Sequence, residues 1–287
     1  METLAHLSIN IRGRLMTFDR PKVMSIVNIT PDSFYSRSRS FTEEEVMTKV
    51  RQVINEGADI IDIGGYSSRP GAADVSPQEE YRRLSIGLKA VRSIAPDAVV
   101  SVDTFRAEVA RKCVLEWGAD IINDIGGGTL DPEMWSVIAE LNVPYVLMHT
   151  RGTPGTMQTM TDYTDVVADV ISDIAFKADR LHQMGVSDII IDPGFGFAKT
   201  VSQNYNLLAA LPEFRRMGMP VLAGVSHKTM IWKPLGITPD ESTMPTVALD
   251  AMALQLGADI IRVHETLPAV QTVEILSLLR GKTANKS

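Results

Sequence analysis

Apolar residues along this chain come in short, dense runs separated by longer stretches of helical rhythm. Four of the runs open alike: GADIIDIGG from Gly57, GADIINDIGGG from Gly118, GADIIRVH from Gly257 and a weaker copy, GVSDIIIDPG, from Gly185. Glycine closes a helix in the left-handed conformation at little steric cost, and the apolar residues behind it start a buried strand, so each copy reads as a helix-to-strand joint. Four other runs, VMSIVNIT from Val23, AVVSVDT from Ala98, YVLMHT from Tyr145 and VLAGVSHK from Val221, begin within two residues of Pro21, Pro96, Pro144 and Pro220. The two kinds alternate strictly, and the gaps carry 3.6-residue periodicity, as in TEEEVMTKVRQVINEGA from Thr42.

The pattern therefore predicts eight strand–helix units. Runs apolar on both faces suit a parallel sheet covered on both sides, and eight of them in about 260 residues suit an α/β fold of the closed (βα)8 TIM-barrel class. The alternative, an open doubly wound sheet, calls for a spaced Gly-rich phosphate turn, and DIGGG from Asp124 lacks that spacing. Residues 1–20 contain LSINIRGRLMTF, whose alternation around Gly13 predicts a β-hairpin capping the bottom of the barrel, and residues 281–287, GKTANKS, read as a frayed tail. One barrel uses nearly all of residues 1–287, so a single domain is expected.

Composition narrows the partners. At 45% hydrophobic the chain has ample material for one large core, and a net charge of −7 argues against nucleic acid, which asks for a basic face. The single cysteine, Cys113, lies in the helical stretch RAEVARKCVLEWG and reads as a packed thiol. No leader pattern and no apolar run of membrane-spanning length is present, so the expectation is a soluble cytoplasmic protein acting on small molecules.

In such a barrel the chemistry gathers where the strands end. The eight ends read Asn28, Asp62, Asp103, Asn123 with Asp124, His149, Asp192, Ser226 with Lys228, and Arg262 with His264. Asp103, Asn123 and Asp192 accept hydrogen bonds and suit a flat ring rich in N–H groups. Lys228, Arg262 and His264, joined by Arg69 in the SSRPG loop, suit an anion such as a diphosphate. Asp62 and Asp124 read as residues that hold loops in place. Two stretches after strands, PDSFYSRSRSF and HTRGTPGTMQTMTDY, exceed what folding needs and are expected to be mobile lids.

Taken together, NITPDSF, DIGGYSSRPG, SVDT, INDIGGG, MHTRGTP, DPGFGFAKT, GVSHK and RVHE resemble the dihydropteroate synthase family, in the correct order over residues 21 to 280. That resemblance implies a transferase of folate biosynthesis that joins 4-aminobenzoate to 6-hydroxymethyl-7,8-dihydropterin diphosphate, with Mg²⁺, and a homodimer. Carried over position by position, it gives the pterin to Asp103, Asn123, Met148, Asp192 and Lys228, and the diphosphate to Asn28, Arg262 and His264. The resemblance also puts Asn28 on the metal. The aminobenzoate pocket falls to Phe34, Ser68, Arg69, Pro70, Phe197, Ser226 and His227. The implied mechanism is dissociative, with Asp103, Lys228, Arg262 and His264 as the catalytic groups and no protein nucleophile.

Four places depart from the family's usual pattern. His227 stands where Arg most often lies between the Ser and the Lys, and Tyr66-Ser67-Ser68 replaces Glu-Ser-Thr. Arg37 and Arg39 occupy a stretch that commonly contains glycine, and Glu265 follows the last strand in place of Asp. Imidazole cannot make the planar bidentate contacts of guanidinium and titrates near neutrality, so His227 is expected to alter selectivity for aminobenzoate or its sulfonamide mimics. Corrinoid-linked pterin methyltransferases are similar around the Asp and Asn strand ends but would not be expected to keep the SSRPG, S-x-K and RVH set. A non-catalytic pterin binder is the other rival.

Overall fold

The computed structural model describes residues 7–30, 42–66 and 75–281. Barrel strands β3 (Lys22–Asn28), β4 (Ile60–Gly64), β5 (Val99–Asp103), β6 (Ile121–Asp124), β7 (Tyr145–Met148) and β8 (Ile189–Asp192) pair in parallel in chain order. Strand β10 (Ile260–Val263) joins β3 to the short β9 (Leu222–Ala223), and a parallel bridge between Ile191 and Val221 closes the ring. All eight predicted strands are present, and the closure excludes the open sheet.

Helices cover the outside: α1 (Glu43–Asn55), α2 (Pro77–Ile94), α3 (Ala107–Trp117), α4 (Met134–Leu141), α5 (Val166–Gln183), α6 (Val201–Ala209), α7 (Leu211–Arg215), α8 (Thr229–Leu235), α9 (Thr243–Gln255) and α10 (Thr266–Leu279). Their starts follow local chemistry. Thr42 forms a capping box with Glu45 ahead of α1, and Thr200 does the same with Gln203 ahead of α6. The four joint glycines, Gly57, Gly118, Gly185 and Gly257, all have positive φ, between 62° and 111°, which is why the opening letter of the motif repeats.

The Asp of the same motif has a second duty. Asp59 accepts the N–H of Val23 at 2.9 Å, Asp120 that of Val100 at 2.9 Å, and Asp259 that of Val221 at 3.1 Å. Each carboxylate thereby ties the foot of its own strand to the foot of the Pro-led strand before it, and each also pairs with an arginine: Arg20, Arg92 and Arg215. In these three pairs the alternation of the two kinds of run is an alternation of clamp and clamped; in the fourth, the Asp188 carboxylate accepts from the N–H of Asn10 instead.

Strands β1 (Ser8–Ile11) and β2 (Arg14–Thr17) form the expected hairpin, turning at Arg12 and Gly13, both of positive φ. Asn10 donates its N–H to Asp188 in the fourth, weaker copy of the motif, and Arg12 reaches Asp120, so the hairpin is held by the same set of carboxylates. Ile9, Ile11 and Phe18 pack on Met24, Ile60, Ile121, Val146, Ile190, Leu222 and Ile260, forming a dry plug at the bottom of the barrel. The larger apolar cluster lies between strands and helices and contains the buried Cys113. The tail residues 282–287 lie outside the described residues.

Candidate active site

Strand geometry converts the plug into a site. Side chains two positions apart share a face, so one step up from Ile60, Ile121, Val146, Ile190 and Ile260 stand Asp62, Asn123, Met148, Asp192 and Arg262. The barrel interior is thus apolar below and, apart from Met148, these positions above it are polar.

At the centre lies Arg262. Its Nε donates to Asp62 Oδ2 at 2.7 Å and its Nη2 to Asp103 Oδ2 at 2.7 Å. Asn123 donates to the same Asp62 oxygen at 3.1 Å, and Asp62 is fully buried. The loop-holding role expected for Asp62 is therefore wrong: it is a charged member of the site, spanning the acceptor side and the cationic side. The separation of those sides is also less clean than the order of strand ends suggests, because Arg262 reaches across the barrel to Asp103. Asp124 does hold a loop, accepting from the N–H groups of Gly126 and Gly128 and from the Tyr145 hydroxyl.

Electrostatics follow from burial. Among Asp62, Glu80 and Asp124, and despite Arg262, the desolvated Asp103 carboxyl is pushed up to about 7. Asp192 is raised by burial, which the Gly194 N–H donating to its Oδ1 at 2.7 Å opposes. Burial, with Arg262 adding to it, brings Lys228 down to about 8. Lys228 Nζ lies 4.4 Å from the centre of the Phe197 ring, a cation–π contact. His264 is pulled down to about 3 by burial and by Arg262, so it is neutral, and its Nδ1 lies 2.8 Å from Ser226 Oγ.

His227 spends both ring nitrogens outside this set of groups. Its Nδ1 is 2.6 Å from the Pro239 carbonyl and its Nε2 is 2.8 Å from Glu265, whose hydrogen bond raises the imidazole above its ordinary value. Two acceptors on opposite nitrogens call for the doubly protonated ring. Two of the four departures from the family pattern are thus one contact: the shorter cation at 227 is met by the longer carboxylate at 265. His227 also has φ 52°, and its ring meets that of His264 edge-on at 5.3 Å.

The loop after β7, expected to be a lid, is anchored at two points. Met157, with Ile125, Met148, Phe197 and Ala198, forms a small apolar cluster over the mouth, and the Arg151 guanidinium stacks 3.7 Å from the centre of the Tyr163 ring. Buried Met157 and the stacked Arg151 are the two anchors of this segment, most of whose other residues are exposed. Phe34, Ser68, Arg69 and Pro70, with Arg37 and Arg39, lie outside the described residues. Tyr66 stacks edge-on against Phe105 at 5.1 Å.

Asn28 ends β3 with its amide oxygen against Gly64, where a Cβ would come within 2.6 Å of it. Among the described residues no group of three or more His, Cys, Asp or Glu side chains is placed to hold a metal ion. A single neutral oxygen donor fits Mg²⁺ in the mode where substrate phosphates and water supply most ligands.

The pterin-binding enzyme family model matches residues 24–264. The dihydropteroate synthase of Synechocystis sp. is 42% identical over 263 residues, 91% of this chain and 90% of that protein. The chain belongs to the dihydropteroate synthases. The Yersinia pestis synthase, solved in a sulfonamide drug complex, superposes with a TM-score of 0.89 at 35% identity, covering 96% of this chain and all of that one. The Xanthomonas albilineans synthase in complex with 7,8-dihydropteroate gives 0.84 at 35% identity over 96% of this chain. The activity is that of a transferase in folate biosynthesis. Sequence reasoning missed Asp62, although counting by twos from the plug residue Ile60 points its side chain inward.

Proposed function

We propose that the enzyme condenses 6-hydroxymethyl-7,8-dihydropterin diphosphate with 4-aminobenzoate by dissociative substitution. The observation that carries this reading is the mouth itself: Asp103, Asn123 and Asp192 as acceptors, with Arg262 and Lys228 as partly buried cations among them. In this scheme Asp103, Asn123 and Asp192 accept the N–H groups of the pterin ring, with Met148 packed on its face and Lys228 donating to its edge. Asn28, Arg262 and His264 hold the diphosphate. Mg²⁺, when bound by Asn28 and the diphosphate, adds positive charge at the leaving group.

The C–O bond to the diphosphate breaks first, and the carbon left behind becomes cationic and delocalised into the dihydropterin ring. Asp103, as carboxylate, stabilises that charge, while Arg262 and Lys228 stabilise the departing anion. The neutral arylamine of 4-aminobenzoate then forms the C–N bond and loses a proton. Its pocket is assigned to Phe34, Ser68, Arg69, Pro70, Phe197, Ser226 and His227, and closure over it excludes the water that would otherwise capture the cation.

The His227–Glu265 pair supports a selectivity role at a remove: it fixes the backbone between Ser226 and Lys228 without offering a guanidinium to the pocket. Steady-state kinetics of His227→Arg test this, with a changed aminobenzoate KM or sulfonamide inhibition expected; unchanged values of both remove the role. A homodimer is proposed through α9 and α10, whose outward Met244, Met252, Ile275 and Leu279 are all more than half exposed. Among the described residues no helix is long and apolar enough to cross a membrane, and we place the single domain in the cytoplasm.

The deciding experiment measures diphosphate release with and without 4-aminobenzoate in the presence of Mg²⁺, with dihydropteroate identified by mass. Release coupled to dihydropteroate formation is expected. Tight pterin binding without turnover would refute the reading.

A further inference from the structure

Lys199 has no part in the scheme above, yet it is among the most enclosed cations in the molecule, 5% exposed. Its Nζ donates to the carbonyls of Gly194 and Phe197, each at 2.9 Å, and lies 3.0 Å from His149 Nδ1 and 3.4 Å from the His149 carbonyl. Three ammonium hydrogens are thus spent on two loops, the one after β7 and the one after β8.

The loop after β8 has a backbone that needs such a tie. Gly194, Ala198 and Gly196 all have positive φ, and for Ala198, at 51° and fully buried, that conformation is disfavoured by about 1–2 kcal/mol. Turning those residues inward aims the loop's carbonyls at one point, and Lys199 Nζ occupies that point as a bound cation would. Burial brings Lys199 down to about 7, opposed by Asp192.

Three of the proposed substrate contacts depend on this loop. Gly194 donates to Asp192, Phe197 offers its ring to Lys228, and Gly196 lies so close to Lys228 that a Cβ there would be 3.0 Å from Lys228 Cδ. Met148 immediately precedes His149. We infer that Lys199 is a positioning residue of the active site: its ammonium gathers the carbonyls of both loops so that Phe197 stands beneath Lys228 at the aminobenzoate wall. This rests on the assignment of Phe197 to that wall, made above.

The test compares Lys199→Met, Lys199→Gln and, as a control, Lys177→Met. Lys177 is also buried, at 6% exposed, and lies near enough to His149 to help lower that imidazole, but its ammonium pairs with Asp173 on the same helix instead of with the loop carbonyls. For Lys199→Met the aminobenzoate KM is expected to rise about tenfold, equivalent to about 1.4 kcal/mol, with kcat far less affected. Gln keeps two donors and should recover part of that loss. Amide hydrogen exchange over residues 193–199 should accelerate in Lys199→Met and not in Lys177→Met, a readout that does not depend on turnover. An unchanged KM with unchanged exchange overturns the inference, as does a KM change that Lys177→Met reproduces. If the wild-type enzyme forms no dihydropteroate, the functional reading fails while the exchange data still decide whether Lys199 holds the loop.

Discussion

Replacing Asp62 by Asn tests whether that carboxylate is a working part of the mouth. The change is isosteric: the retained oxygen can still accept from Arg262 and Asn123, and the new NH₂ falls where Oδ1 has no hydrogen-bond partner among the described residues. What disappears is charge. Breaking a buried ion pair costs about 3–5 kcal/mol when it strands the other charge, and a hydrogen bond to a charged group contributes about 1.5–3. Arg262 keeps Asp103 at 2.7 Å and its side chain is 19% exposed, so it is not stranded and the lower range applies, about 2 kcal/mol. For a chain of this length that is a fall in Tm of about 4–8 °C. The assay is thermal unfolding of wild type, Asp62→Asn, Arg262→Lys and the double variant. A coupling energy well above the scatter between distant sites is expected. A Tm indistinguishable from wild type, with additive effects in the cycle, would return Asp62 to the role of a loop holder.

Asp103 gives a pH signature. With its carboxyl at about 7 when folded and about 3.9 when unfolded, the native state binds more protons between those values, so stability falls as pH rises across them. Asp103→Asn should abolish condensation, and its Tm relative to wild type should increase from pH 4 to pH 8; a difference that stays flat or reverses sign counts against the assignment. Gly194→Ala should cost about 3 kcal/mol or more, because left-handed backbone and a Cβ only 2.0 Å from the His149 carbonyl both oppose it. Gly218→Ala, at nearly the same φ with open space around it, should cost only about 1–2 kcal/mol, and equal losses in the two variants would remove the steric argument. Arg215→Met breaks a clamp at the barrel foot and should lower Tm while leaving kcat/KM unchanged; altered kinetics would mean that foot and mouth communicate.

Much of the architecture was legible because it is written locally. A Gly that ends a helix, a Pro that starts a strand and the apolar run behind each are decided by neighbours in the chain, so all eight strands, the hairpin and the helix after Thr42 could be read directly. The types of residue at the strand ends were legible for the same reason. What lay beyond reach is contact across the barrel. Arg262 and Asp103 are 159 positions apart and sit on strands that do not pair, so no periodicity joins them. His227 and Glu265 stood out as two separate oddities, and only the fold makes them partners. Lys199 is seven residues past Asp192 in an irregular loop, where neither helical nor strand spacing says which way a side chain turns.

The clamps at the foot of the barrel bear on how this molecule can change. Each Asp–Arg clamp joins neighbouring strands at the end remote from substrate, and the plug beneath Asp62 and Asn123 is dry and continuous with the hairpin. Stability is therefore concentrated at one end of the barrel and selectivity at the other. Substitutions acquired at the mouth under pressure from a competing ligand draw on a reserve of stability they do not themselves supply, so the enzyme has room to vary its pocket before the scaffold gives way.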